Sequence, residues 1–219
     1  MRTRQARGTK RNRSRTGLPR PLEELLPRLK ARTMGLLAPG EAGEGRGPGP
    51  AGWTPMHALE GRKLAIEVLS SGADDPEVMD KLLRRMGLEV WGWMSEVVLE
   101  LHFMGLAEDA ISLCRRMLDV RRDEHLLFTL PMLLARAGRV EEAVSGLEAN
   151  LKKHGDHPIM LMMAGDTYQI MGDRKSAEPL YRRALAVCAA SSDPAEAPGL
   201  AEDLQARLKT LTEAQGGMA

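Results

Sequence analysis

Aromatic side chains are scarce, at 3% of a chain of 219 residues. Its apolar load of 43% is enough for a buried core, and Leu, Ala, Met and Val carry that load. As a set these residues favour helix over strand, because most of them lose little rotamer freedom there, and the expected class is all-α. Cysteine is scarcer still. Cys114 and Cys188 lie 74 positions apart, which excludes a disulfide framework and a cysteine-rich metal site and fits a reducing compartment. Long apolar runs are missing too. The longest uncharged stretch near the middle, His125–Ala135, is too short to cross a bilayer, and no apolar signal core follows the N-terminus. A cytoplasmic protein with no transmembrane segment is expected.

Acid is absent from Met1–Arg20, a stretch that carries eight bases: Arg2, Arg4, Arg7, Lys10, Arg11, Arg13, Arg15 and Arg20. Without those eight, 23 basic side chains face 30 acidic ones, so the net +1 of the whole chain hides a remainder at −7. A segment so polar cannot bury enough surface to offset the entropy of ordering, and disorder is expected. Leu22, Leu25, Leu26 and Leu29 then recur at helical spacing, interrupted by Pro27, and indicate a short amphipathic helix. Ala38–Gly52 holds six Gly and three Pro in fifteen residues, a linker composition. Its glycines lack the strand, helix, Lys and Ser or Thr that a phosphate loop requires. Residues 1–52 are thus expected to be tail and linker, with the folded region starting near Trp53.

From Pro55 the apolar period is helical. One helix is expected over Pro55–Ser70 and stops near Gly72. Asp75-Pro76 supplies a cap and a pre-set first turn for a second, to about Met86, so residues 53–90 form a hairpin or cap. The central feature is a self-match. Met104-Gly105 with Ala110, Ala137-Gly138 with Ala143, and Met171-Gly172 with Ala177 place the glycines 33 and 34 positions apart, and the alanines likewise. Such a period is the mark of stacked helical repeats. Each glycine ends a first helix in the left-handed region. Each alanine, five positions on, lets two helix backbones approach.

This spacing resembles the tetratricopeptide repeat. Pro158 to about Ser191 is the best unit, with Gly165, Tyr168, Gly172, Ala177, Tyr181 and Ala184 at the signature positions. Glu124–His157 keeps Gly138 and Ala143 but carries Pro131, Leu134, Leu147 and Asn150 elsewhere. Trp91–Asp123 keeps Gly105 and Ala110 beside Val98, Leu101, Cys114 and Met117. The resemblance implies an α-solenoid of antiparallel hairpins over 91–191. A last helix within 192–219, carrying Leu200, Leu204, Leu208 and Leu211 after a break at Ser191–Pro194, would cap it.

The resemblance also implies that first helices line a partner-binding groove. Carried over residue by residue, the groove comprises Ser95, Leu99, His102 and Phe103, then Phe128, Met132 and Arg136, then Met162, Asp166 and Gln169. It lacks the Lys and Asn set of the carboxylate-clamp branch, so the expected ligand is an amphipathic helix or apolar segment of another protein, anchored by Phe103, Phe128 and Met132. The plainer reading of Met132, Met160, Met162, Met163 and Met171 is core filling.

The basic tail has three open readings. One is salt-sensitive attachment to nucleic-acid phosphates or another anionic surface through Arg2, Arg4, Arg7, Lys10, Arg11, Arg13 and Arg15, with the repeats as a platform. Another is an acid-poor targeting peptide. The third is an extension without a role, with Met56 an alternative start. No catalytic constellation and no cofactor site are recognisable. His154, Asp156 and His157 suggest a helix boundary, with Asp156 as cap and Pro158 in the first turn, in preference to a metal site. The expected function is non-catalytic scaffolding.

Overall fold

The computed structural model describes residues 17–34, 55–155, 157–190 and 199–216. Arg2 to Arg15 of the basic tail, the Gly-rich stretch 38–52, Asp156 with its expected capping role, and the Ser191–Pro194 break all lie outside the described residues. Ten α-helices form the regular structure of those that are described. They are α1 (Arg20–Met34), α2 (Pro55–Val68), α3 (Pro76–Met86), α4 (Glu89–Phe103), α5 (Ala107–Val120), α6 (Glu124–Arg136), α7 (Val140–His154), α8 (Pro158–Ile170), α9 (Arg174–Ala190) and α10 (Leu200–Gly216). A π-type turn, Leu69–Ala73, joins α2 to α3. Among the described residues no helix is long and apolar enough to cross a membrane.

Local chemistry accounts for the boundaries. The Asp75 carboxylate accepts the Glu77 N–H at 2.9 Å, Asp123 accepts that of Leu126 at 2.9 Å, and Asp173 accepts that of Ser176 at 3.1 Å. Each satisfies a donor that the first turn of a helix leaves open. Pro76 and Pro158 occupy first-turn positions where no N–H is missed. Gly105, Gly138 and Gly172 have φ of +77°, +76° and +80°. Each donates its N–H to the carbonyl three positions back, His102, Ala135 or Gln169. The next residue donates to the carbonyl five back, Leu101, Leu134 or Tyr168. One left-handed closure, made three times, is therefore the physical content of the repeat. Ala110, Ala143 and Ala177 are all fully buried.

The chain divides into two compact units, Met1–Asp109 with Asp119–Arg121, and Ala110–Leu118 with Arg122–Ala219. In the first, α2 packs along α4, and α3 packs on α4 and on the turn. A methyl group at Gly61 would stand 3.0 Å from Val97 Cγ2, a measure of how closely α2 and α4 approach. The helix expected around Leu22–Leu29 spans Arg20–Met34. It is no part of a structureless tail: Leu18, Leu22 and Leu29 are fully buried, and α1 packs on α4, the turn and α2. The folded region accordingly begins before residue 53, near Leu18. Arg, Gly and Pro dominate residues 1–52 taken together, but three leucines suffice to seat a helix on an apolar face.

In the second unit α6 packs on α7 and α8, α8 on α9, and α9 on α10. Two clusters fill the space between them. Phe128, Leu147, Met160 and Ala164 form one. Leu161, Ala177, Tyr181, Ala184, Leu200, Leu204 and Leu211 form the other. Gly165 permits the second, because a Cβ there would overlap Cε1 of Tyr181. Pro131 sits inside α6 without an N–H, which deprives the Leu127 carbonyl of its helical partner. The buried Asn150 side chain donates to that same carbonyl from α7, so the vacancy left by proline is filled.

Candidate functional site

The surface that sequence reasoning selected is placed on three helices. On α4, Leu99, His102 and Phe103 share one face at i, i+3 and i+4. Leu99 and His102 are half-buried, and Phe103 is 55% exposed with its ring tilted against His102, 5.5 Å between centroids. A phenyl ring in water at the end of a helix costs apolar hydration and is available to a partner. Ser95, one turn earlier, turns back to donate to the Trp91 carbonyl at 3.1 Å.

On α6 the expectation needs correction. Phe128 is completely buried in the cluster with Leu147, Met160 and Ala164, so it is core and not an anchor for a partner. The physical reason is that α6 is flanked by α7 and α8 and is apolar around most of its circumference; Leu126, Phe128, Thr129, Pro131, Leu133, Leu134 and Ala135 are all buried. Apolar character alone cannot mark the accessible stripe of such a helix. Met132 is half-buried, and Arg136, one turn on, is exposed.

On α8, Met162 is half-buried against the Tyr181 cluster, while Met160 is buried and Met163 packs on the Phe128 cluster; for these three, core filling is what the side chains do. Asp166 and Gln169 are already engaged. Tyr181 donates its hydroxyl to Asp166 Oδ1 at 2.6 Å and lies 3.0 Å from Gln169 Oε1. Arg207 of α10 donates Nε to Oδ1 at 2.8 Å and Nη2 to Oδ2 at 3.2 Å, a forked pairing. Burial, then the Asp166 hydrogen bond, pushes the Tyr181 phenol far up, and the Asp166 hydrogen bond raises Arg207. The tyrosine therefore stays neutral and Arg207 stays charged across the physiological range. This network joins α8, α9 and α10 and leaves Asp166 little capacity for an outside ligand.

Two hollows went unforeseen. A groove of about 520 Å³ runs between α6 and α7, floored by Leu127, Leu130, Pro131 and Leu134, with Arg115 and Glu142 paired at 2.7 Å on its rim. A smaller one of about 250 Å³, at the end of α7, is lined by Lys152, Lys153, His154, His157 and Arg183. His154 Nδ1 lies 3.1 Å from a Glu124 carboxylate oxygen. Among the described residues no three His, Cys, Asp or Glu side chains are grouped to hold a metal ion. Cys114 is buried, and burial pushes its thiol up to about 12, which removes it as a nucleophile.

Fold and surface together define an all-helical, repeat-like protein whose neighbouring helices pack on one another. No protein-family model matches the chain and no curated protein matches it, so the tetratricopeptide resemblance rests on the residues and their geometry alone.

Proposed function

We propose that the chain is a non-catalytic protein–protein interaction module of the tetratricopeptide kind, a solenoid of helix pairs capped by α10 and working in the cytoplasm. The observation that carries this reading is the threefold recurrence of one helix closure at Gly105, Gly138 and Gly172, each followed five positions later by a fully buried alanine. Packing of α2 on α4 and of α6 on α8 supports it, since first helices of successive pairs are neighbours in such a stack. The partner supplies an amphipathic helix or an extended apolar segment. It meets Phe103 with Leu99 and His102 on α4. No cofactor takes part.

The test is substitution at the exposed aromatic of α4. Phe103→Asp in the full chain is expected to reduce capture of the partner at least roughly tenfold, as loss of an anchor does, with the melting temperature unchanged. Undiminished capture would refute the α4 surface as the docking site. A second reading, nucleic-acid association, rests on seven bases without acid, Arg2, Arg4, Arg7, Lys10, Arg11, Arg13 and Arg15. It predicts binding to a polyanion that weakens steeply with salt and is lost on deleting residues 1–16.

A further inference from the structure

α1 stands apart from the series of helix pairs. Within the pairs, three residues separate the helices, 104–106, 137–139 and 171–173, whereas twenty, 35–54, lie between α1 and α2. Its contacts have the layout of a docked peptide, with apolar anchors at the centre and charges at the rim. Leu18, Leu22 and Leu29, on one face at intervals of four and seven, are at most 1% exposed, with Thr33 buried beyond them. Ion pairs run along the flanks: Arg28 to Glu67 at 2.6 Å and Arg32 to Glu60 at 3.1 Å, both on α2, and Glu23 to Arg85 of α3 at 3.6 Å. Pro19 closes over the turn, where a methyl group at Gly72 would come within 2.9 Å of its Cγ.

The helix itself is intrinsically weak. Pro27 in its interior removes one backbone hydrogen bond, and fifteen residues are marginal for an isolated helix in water. The face beneath it, and not its own propensity, therefore holds it in shape.

We propose that α1 is a detachable ligand bound in cis, and that the face it covers, formed by α2, the Leu69–Ala73 turn and α4, is a docking site for a partner helix of the same chemistry. Such a helix carries leucines at spacings of four and seven. It places arginines on the flank facing Glu60 and Glu67, and an acid in its first turn for Arg85. Charge complementarity selects it: two of the three rim pairs set a cation of the ligand against a glutamate of α2. The inference rests on the reading of the chain as an interaction module, yet it concerns a different surface from Phe103, so either can fail alone.

The probe is a fluorescently labelled synthetic peptide of residues 17–34, added to the full chain and followed by anisotropy. Wild-type protein is expected to bind it weakly, because a tethered α1 competes at an effective concentration in the millimolar range. Arg28→Glu with Arg32→Glu in the full chain keeps the leucine anchors and weakens only cis docking; it is expected to bind the wild-type peptide at least tenfold more tightly than the wild-type protein does. A peptide carrying the same two reversals should lose at least tenfold, and Glu60→Arg with Glu67→Arg in the protein should restore it. A second arm places a protease site within 35–54 and cuts the folded chain, after which the peptide should exchange in and the freed segment should elute separately. Equal affinity of the wild-type and charge-reversed proteins overturns the proposal. So does a cut segment that neither leaves nor exchanges, or a cut protein that loses its helicity, since α1 would then be core. A doubled mass of the uncut protein would show a second copy's α1 to be the occupant and would also overturn it.

Discussion

The α6/α7 and α8/α9 pairs make the same turn and bury the same alanine, yet their interiors are built from different residues. Gly165, Tyr181 and Ala184 in one pair stand 34 positions after Pro131, Leu147 and Asn150 in the other. In α8/α9 the missing side chain of Gly165 makes room for the Tyr181 ring, and that ring brings a hydroxyl that needs the Asp166 carboxylate. In α6/α7 a leucine replaces the ring, so no glycine is required and proline is admitted. The proline then orphans the Leu127 carbonyl, and Asn150 answers it from the place where the other pair has alanine. The three positions change as a set. A repeat signature can therefore fade residue by residue while the helix pair persists, because the turn is held by backbone chemistry and the interior only has to close on itself.

Breaking one member of a set should cost more than replacing the whole set. Gly165→Val is expected to be the most damaging change. It drives a branched side chain into the Tyr181 ring and costs about 3 kcal/mol or more by overpacking, read as a lowered denaturant midpoint. Adding Tyr181→Leu should recover part of that loss, a coupling that independent sites would not show. Next comes Arg207→Met, which strips the Asp166 carboxylate of its forked partner in a half-buried setting. A loss of about 2 kcal/mol is expected for hydrogen bonds to a charged group, and Asp166→Asn in the same chain should soften it. Smaller again is Asn150→Ala, which leaves the Leu127 carbonyl without its donor and costs on the order of 1–2 kcal/mol. In a Pro131→Ala background, where the backbone N–H returns, the same change should be nearly neutral. Equal costs in both backgrounds would mean that Asn150 acts by packing alone.

The same contrast explains what was legible in the sequence. Gly105, Gly138 and Gly172 were readable because a positive φ is a local demand that one residue type meets at little cost. The caps at Asp75 and Asp123 are local signals of the same kind, although neighbouring charges mask that of Asp123 in the sequence. Three features were not legible, each for want of a local signal. The Asp166 network depends on Arg207, 41 residues away, on a helix that its leucines alone had identified. Phe128 was misplaced because α6 has neighbours on both sides and hence no polar stripe to show which face is open. The leucines of α1 mark a helix but not its seat in the fold, because the pairs that flank it, Arg28–Glu67 and Arg32–Glu60, span 39 and 28 residues.

Cys114 extends the comparison to the earliest repeat, since it lies 33 positions before Leu147 and 67 before Tyr181 and so fills the same place there. It is fully buried, with Sγ 3.8 Å from the Leu126 carbonyl oxygen. Burial first, and then the charge of Asp123, pushes its thiol up to about 12 against the opposing pull of Arg115. At pH 8 the thiolate that a disulfide reagent requires is then nearly absent in the folded protein, and access requires opening of α5 from α6. Cys188 is only half-buried on α9. Native protein at pH 8 is therefore expected to release one equivalent of reporter quickly, with Cys114 slower by roughly a hundredfold or more. A Cys188→Ser variant should retain only the slow phase, and denaturant well below the unfolding midpoint should speed that phase. Equal rates for the two thiols would show that this position is not sealed as Leu147 and Tyr181 are, and the equivalence of the three interiors would then hold for two pairs and fail for the third.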